Sequence, residues 1–177
     1  MNRNFSALWS MAFSTNDLLE VKLNNKVTTL PSLSKEWRVS FSLLSVDLSD
    51  RGSHVNILHL TTGDNDCCYG SRIPVIFFWP PEGLLIKSAI SGENQQGALF
   101  ASPTIGYTTI EIIQEIDEGC KMMFRVFING VEEHQVENTD PRVFENVAVY
   151  AGDPWHLAHD PDYMLGYIQD LSIFVKN

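Results

Sequence analysis

Apolar and polar residues alternate along most of this chain, and the alternation predicts β-strands rather than helices. Trp37, Val39, Phe41 and Leu43 alternate with polar neighbours, which is the pattern of a strand with one buried face. Residues 75–79 are apolar at every position, which is typical of a central strand covered on both faces. Turn signals recur roughly every 8–12 residues, so we predict about ten strands in a sandwich or barrel.

Two stretches are expected to interrupt this pattern. Pro31 ends a polar break after a strand predicted at residues 19–23, and residues 91–97 are predicted to form a polar loop.

Trp79, which precedes two prolines, is either a core residue or an exposed aromatic platform, and the core interpretation is favoured. His59 alternates with apolar residues and is expected to be a buried, hydrogen-bonded histidine rather than a ligand-binding residue.

The strongest local signal is a hairpin within residues 121–150. Two strand-like runs meet at Asn129-Gly130, a dipeptide that favours the type I′ turn because both positions require positive φ. A two-residue turn pairs the apolar Val126 with the polar Glu133. The returning strand is therefore expected to be an edge strand or to carry a β-bulge.

Composition restricts the class of protein. The 177 residues suit a single domain, which we place at residues 1–177 with a core at about 17–175. The formal net charge of −10 argues against binding to nucleic acid or to anionic lipid. No apolar run is long enough to insert into a membrane, and the N-terminus shows no clear secretory signal.

The chain has three cysteines, Cys67, Cys68 and Cys120. An odd number with an adjacent pair is not a disulfide framework, and neighbouring cysteines rarely bond to each other because the resulting ring is strained. Two alternatives remain open: one of the adjacent pair bonds to Cys120, or all three are free thiols.

The order of these motifs resembles the laminin-G-like branch of the concanavalin-A-like jelly rolls. The blocks that carry the resemblance are WRVSF at 37–41, NILHL at 56–60, GYTTIEI at 106–112, FRVFING at 124–130 and LGYIQDL at 165–171. The resemblance implies an all-β fold, an antiparallel β-sandwich whose rim loops carry recognition. Tyr167 stands where many members have a cysteine, so the C-terminal disulfide of that family is not expected here. Members bind sugars, proteins or steroids, so the fold does not determine the ligand.

Glucanases of the same superfamily place catalytic carboxylates on alternate positions of one strand. Glu115 and Asp117 match the first two positions, but Gly119 stands where the acid should be and Glu118 points to the other face. The catalytic pair is incomplete, and we predict that the chain is not an enzyme.

Candidate ligand-binding residues cluster after the strand that ends near residue 150. These residues are Asp153, Trp155, His156 and His159. An exposed Trp beside carboxylates suits stacking against a sugar. Asp153-Pro154 is also an ordinary turn former, because Asp hydrogen-bonds to the backbone that follows it.

Candidate metal ligands are the carboxylates of Asp160, Asp162, Asp64 and Asp66. Clustered carboxylates favour calcium, a hard cation that takes several oxygen ligands, and the acidic composition is compatible with it. His156 and His159 are candidate zinc ligands, and zinc is a weaker alternative to calcium.

From these observations we predict a non-catalytic, extracellular or cell-surface recognition module. It binds a glycan or an extracellular protein through rim loops, with calcium as a candidate cofactor. The alternative is a structural domain that assembles with copies of itself, and a glycoside hydrolase is the third hypothesis.

Overall fold

The computed structural model describes residues 8–45, 54–103, 106–155 and 166–176. Within these ranges the chain forms strands and turns, and none of these residues forms a helix able to cross a membrane. The strands are β1 (Trp9–Thr15), β2 (Leu19–Glu20), β3 (Lys26–Leu33), β4 (Trp37–Ser45), β5 (Val55–Thr61), β6 (Val75–Trp79), β7 (Gly83–Ile90), β8 (Glu93–Phe100), β9 (Gly106–Ile116), β10 (Met122–Ile128), β11 (Val131–Glu137), β12 (Phe144–Tyr150) and β13 (Gly166–Lys176).

The strands form two sheets that pack face to face. The seven-stranded sheet has the order β1-β13-β4-β9-β10-β11, with β2 paired to β13. The six-stranded sheet has the order β3-β12-β5-β6-β7-β8. Neighbouring described strands pair antiparallel, including β4 with β9 and β5 with β6. The predicted antiparallel all-β sandwich is therefore confirmed.

The core lies between the sheets and is built by alternate residues of each strand. Trp37, Val39, Phe41 and Leu43 of β4 are all buried, as their alternation predicts. The indole of Trp37 meets the ring of Phe124 edge-on, with 6.2 Å between the ring centroids. Burying each large side chain contributes about 1.5–3 kcal/mol, so this row is a main source of stability.

The hairpin between β10 and β11 has the predicted turn. Asn129 and Gly130 both have positive φ, at 52° and 79°. The register shifts beyond Val126, which pairs with His134 rather than with the predicted Glu133. The strand β11 is also the edge of its sheet. The strand β11 is therefore both an edge strand and a bulged strand, as its polar sequence predicted. Polar residues are tolerated there because an edge strand does not need a fully buried face.

Three strands depart from the predicted pattern. Pro31 lies inside β3, which tolerates it because β3 is an edge strand and lacks a ladder partner on one side. Residues 93–97 belong to β8, the other edge of the same sheet, rather than to a loop. Only Leu19 and Glu20 of the strand predicted at residues 19–23 form β2.

The final strand carries an irregularity that changes which side chains face the core. The register of β13 against β4 shifts between Gln169 and Ser172, and Asp170 has a φ of 56°. Ile168 is consequently buried together with Leu171, while Tyr167 is only partly buried. Strict alternation from Leu171 would place Tyr167 on the core side, but the bulge shifts the alternation by one residue.

Candidate functional site

The central strand β5 is buried along its whole length, on both faces. Leu58 and Leu60 belong to the hydrophobic core between the sheets. Asn56 and His59 pair with alternate residues of β6 and lie on the opposite, outer face. A two-layer sandwich leaves such a face open to solvent, yet Asn56 is 1% exposed and His59 is fully buried.

The loop before β6 and the loop after β12 bring polar side chains onto this outer face. Arg72 comes from the first loop, and Asp153 and Trp155 come from the second. We call the set formed by Asn56, His59, Arg72, Asp153 and Trp155 the outer-face cluster.

Asp153 fixes the position of Trp155. One carboxylate oxygen of Asp153 accepts a hydrogen bond from the amide of Asn56 at 2.5 Å. The other accepts the backbone N–H of Trp155 at 2.8 Å. The backbone carbonyl of Asp153 accepts the N–H of Asn24 at 2.7 Å. These bonds form the turn predicted for Asp153-Pro154 and hold the loop against β5.

Trp155 lies half in solvent, with 41% of its surface exposed. Its indole contacts the imidazole of His59 edge-to-face, with 5.4 Å between the ring centroids. The buried histidine therefore packs against one part of the indole. The exposed part of the ring is an apolar surface held in a defined orientation, beside a carboxylate.

His59 is neutral at neutral pH. The Nε2–H of its ring donates to the carbonyl of Ser71 at 2.8 Å, which assigns the lone pair to Nδ1. The pKa of His59 is lowered from 6.5 to about 4, chiefly by burial and to a smaller extent by the nearby Arg72 guanidinium. The Ser71 carbonyl and the Asp153 carboxylate act in the opposite direction. Among the described residues, no hydrogen-bond partner meets the buried Nδ1.

Arg72 places a buried positive charge in the cluster. Its side chain donates to Gln95, and its guanidinium lies 5.2 Å from the centroid of the Phe77 ring. One guanidinium nitrogen, Nη2, is 3.9 Å from a carboxylate oxygen of Asp66. Burial lowers the pKa of Arg72, while Asp66 and Asp153 raise it.

Asn56 and Arg72 are site residues that the sequence pattern does not single out. Arg72 does carry a signal, because it is a cation three positions before an apolar strand that is predicted to be central. Asn56 carries little signal, since its partner Asp153 is 97 positions away in the sequence.

The loop before β6 also contains the adjacent cysteines, and they are disulfide-bonded to each other. The expectation that neighbouring cysteines do not pair is therefore wrong for Cys67 and Cys68. The pair lies in a local turn, in which the N–H of Ser71 donates to the carbonyl of Cys68 and the N–H of Cys68 donates to Ser71 Oγ. Cys120 is an exposed free thiol.

The predicted metal ligands of this loop face different partners. Asp66 approaches Arg72, whereas Asp64 is exposed and lies with the sulfur atoms of Cys67 and Cys68. Four other predicted residues lie outside the described part of the chain, namely His156, His159, Asp160 and Asp162. The predicted calcium site stays a prediction.

Trp79 is not a core residue, contrary to the favoured interpretation. It is 40% exposed, and its indole stacks on the imidazole of His54 with 4.9 Å between centroids. It is the last residue of β6, four positions from Val75, which lies beside His59. A strand rises about 3.3 Å per residue, so Trp79 stands roughly 13 Å from that end of the outer face.

The glucanase-like segment forms a shallow cleft of about 500 Å³ on the other sheet, lined by Glu115, Ile116, Asp117, Glu118 and Arg125. Glu115 lies 3.5 Å from an Arg125 nitrogen, and Asp117 accepts the N–H of Lys121 at 2.9 Å. The three lining carboxylates all come from one short segment. Glycoside hydrolysis requires carboxyl groups on both sides of the scissile bond, and this arrangement does not provide that geometry.

A second cleft, of about 350 Å³, opens between the sheets where β8 lies near β10 and β11. Apolar side chains such as Phe100 and Ile128 line it together with Glu133 and Thr108. The hydroxyl of Thr108 is buried, and no described residue hydrogen-bonds to it.

Comparison with known proteins places this fold among β-sandwich domains. No protein-family model matches the chain, and no curated protein matches it. Solved structures do match. The Botulinum Neurotoxin Type G Receptor Binding Domain has a TM-score of 0.58 at 13% identity, over 97% of this chain and 44% of that one.

Two further similar structures are binding domains of Botulinum Neurotoxin DC. One is in complex with SialylT, with a TM-score of 0.56 at 12% identity, over 81% of this chain and 33% of that one. The other is in complex with rat synaptotagmin II, with a TM-score of 0.55 at 12% identity, over 80% and 32%. This chain thus spans less than half the length of each. At this identity the likeness shows the fold alone, and the laminin-G-like branch stays a prediction.

Proposed function

We propose that this chain is a non-catalytic recognition module that binds a glycan at the outer-face cluster. The observation that carries the proposal is the half-exposed indole of Trp155, held by Asp153 and supported by His59. Sugars present an apolar C–H face that packs on an aromatic ring, and an indole that is already oriented loses little entropy on binding.

The surroundings of Trp155 suit a polar ligand with an apolar face. The buried guanidinium of Arg72 belongs to the same cluster as the carboxylate of Asp153. On β8, the side chain of Gln95 accepts a hydrogen bond from Arg72, and the amide of Asn94 donates to the carbonyl of Asp66. Amides and carboxylates are the groups that hydrogen-bond to sugar hydroxyls.

The ligands of two similar structures support a recognition role, and one of them supports a glycan as the ligand. One botulinum neurotoxin binding domain was solved with the glycan SialylT, and another with the protein synaptotagmin II. An extracellular location and assistance by calcium belong to the same proposal, and the acidic loops of the chain support the latter.

The test begins with a glycan array probed with the whole chain, followed by titration of the strongest glycan in solution. Trp155→Ala should weaken binding at least tenfold, which corresponds to about 1.4 kcal/mol. Tyr107→Ala is the matched control, because it removes a 61% exposed aromatic residue from the other sheet, and it should leave the affinity unchanged.

Two results would contradict the proposal: equal effects of the two substitutions, or no glycan bound with calcium present or with EDTA. The self-assembly alternative would then be preferred if the chain formed an oligomer in dilute solution. Such an interface should bury more than about 1,000 Å².

A further inference from the structure

The loop between β5 and β6 brings together three exposed groups that can bind a metal. The two sulfur atoms of Cys67 and Cys68 and a carboxylate oxygen of Asp64 all lie within 4.8 Å of one another. In the structure the two sulfurs are joined as a disulfide. A disulfide sulfur carries no negative charge and is a poor ligand, whereas a thiolate is a strong one.

We infer that reduction of the Cys67–Cys68 disulfide converts this loop into a binding site for a soft divalent cation such as Zn²⁺ or Cd²⁺. The ligands are the two thiolates and the Asp64 carboxylate, and water completes the coordination. The inference concerns a site separate from Trp155 and does not rest on the proposed function.

The chemistry of the step is balanced. The S–S bond accepts two electrons and two protons and becomes two thiols, while a dithiol reductant is oxidised to its own disulfide. Binding of the divalent cation then releases the two thiol protons, because only thiolates coordinate zinc or cadmium.

The three groups lie close enough for tetrahedral coordination once the S–S bond is opened and the two sulfurs separate. Zn–S bonds are about 2.3 Å, so two sulfurs on one zinc ion stand about 3.8 Å apart, and a carboxylate oxygen lies slightly closer. Ligand atoms already within 4.8 Å of one another need only small side-chain rotations to reach these distances. A site with two sulfurs and one oxygen prefers zinc or cadmium to calcium, which takes six to eight oxygen ligands.

The loop has other bonds that hold its shape once the disulfide is opened. The N–H of Thr62 donates to the carbonyl of Gly70 at 3.0 Å, which closes the base of the loop. The amide of Asn94 donates to the carbonyl of Asp66 at 2.5 Å. Asp64 and the two cysteines therefore stay together after reduction.

The test uses Cd²⁺ and the chain with Cys120→Ser, which removes the exposed free thiol. The protein is titrated before and after treatment with a trialkylphosphine, which becomes the phosphine oxide with oxygen from water. The ultraviolet charge-transfer band of a cadmium thiolate reports the bound ion, and calorimetry reports its affinity. We expect one Cd²⁺ per chain after reduction and none before it.

Two substitutions in the reduced protein test the ligand set. Asp64→Asn should weaken Cd²⁺ binding by about tenfold or more, because it removes a ligand. Asp66→Asn is the matched control, since Asp66 faces Arg72, and should change the affinity by less than about twofold. Circular dichroism confirms that both variants are folded.

Three results would overturn the inference. They are equal affinity of the oxidised and reduced chains for Cd²⁺, no binding after reduction, or equal effects of Asp64→Asn and Asp66→Asn.

Discussion

Acidification should destabilise this protein because His59 must remain neutral in the folded state. In the unfolded chain its imidazole titrates with a pKa near 6.5, whereas in the folded protein burial lowers the pKa to about 4. Below pH 6.5 the unfolded chain binds a proton that the folded protein excludes. The free energy of unfolding therefore falls as the pH falls from 6.5 towards 4. Above pH 7 the titration of His59 does not change it.

The size of the effect follows from the two pKa values. Each unit of difference corresponds to 1.36 kcal/mol, so the complete loss near pH 4 is about 3 kcal/mol, and about 2 kcal/mol is lost by pH 5. Domains of this kind have roughly 5–15 kcal/mol of stability. The loss is thus large enough to measure and small enough to leave the protein folded.

Urea unfolding at pH 7.5 and pH 5.0 measures this difference directly. His59→Gln keeps an amide donor but cannot titrate, so its loss between the two pH values should be smaller than that of the wild type by about 2 kcal/mol. His54→Gln, which removes an exposed histidine from the same face, serves as the matched control. Equal pH dependence in the wild type and His59→Gln would show that His59 is not the group that destabilises the folded protein in acid.

Two further predictions concern the fold. Trp37→Ala should destabilise the protein by about 3–5 kcal/mol, because it leaves a cavity against Phe124. The melting temperature should fall by roughly 6–20 °C. A melting temperature near that of the wild type would contradict the burial of Trp37. Asn129→Ala should lose about 1–3 kcal/mol in urea unfolding, because Ala resists positive φ and the hydrogen bonds that Thr109 donates to Asn129 Oδ1 are removed. An unchanged midpoint would contradict this assignment.

Local patterns were sufficient to predict an all-β fold and its central hairpin, whereas the family resemblance favoured the sandwich over the barrel. The alternation in β4 and the Asn129-Gly130 turn depend on neighbours in sequence, and both are present in the structure. Edge strands were harder to predict. The strands β3 and β8 each pair on one side only, so they tolerate Pro31 and a run of polar side chains that a central strand would not accept.

The candidate site was predicted only in part, because it is assembled from distant segments. Asp153 and Trp155 stood out through their own composition, as a carboxylate beside an aromatic residue. Asn56 and Arg72 join them only after β5 and β12 have paired and two loops have folded over the outer face. Alternation along one strand indicates which face a side chain occupies, but not which loop covers that face.

NMR of the indole N–H signals shows whether a glycan binds against Trp155. The chain has four tryptophans, and Trp155→Phe assigns the signal of interest. Adding the glycan selected on the array should shift the Trp155 signal most and leave that of the buried Trp37 unchanged. Two results would contradict binding at Trp155. The glycan could bind without shifting the Trp155 signal, or it could shift chiefly the signal of Trp9 on the other sheet.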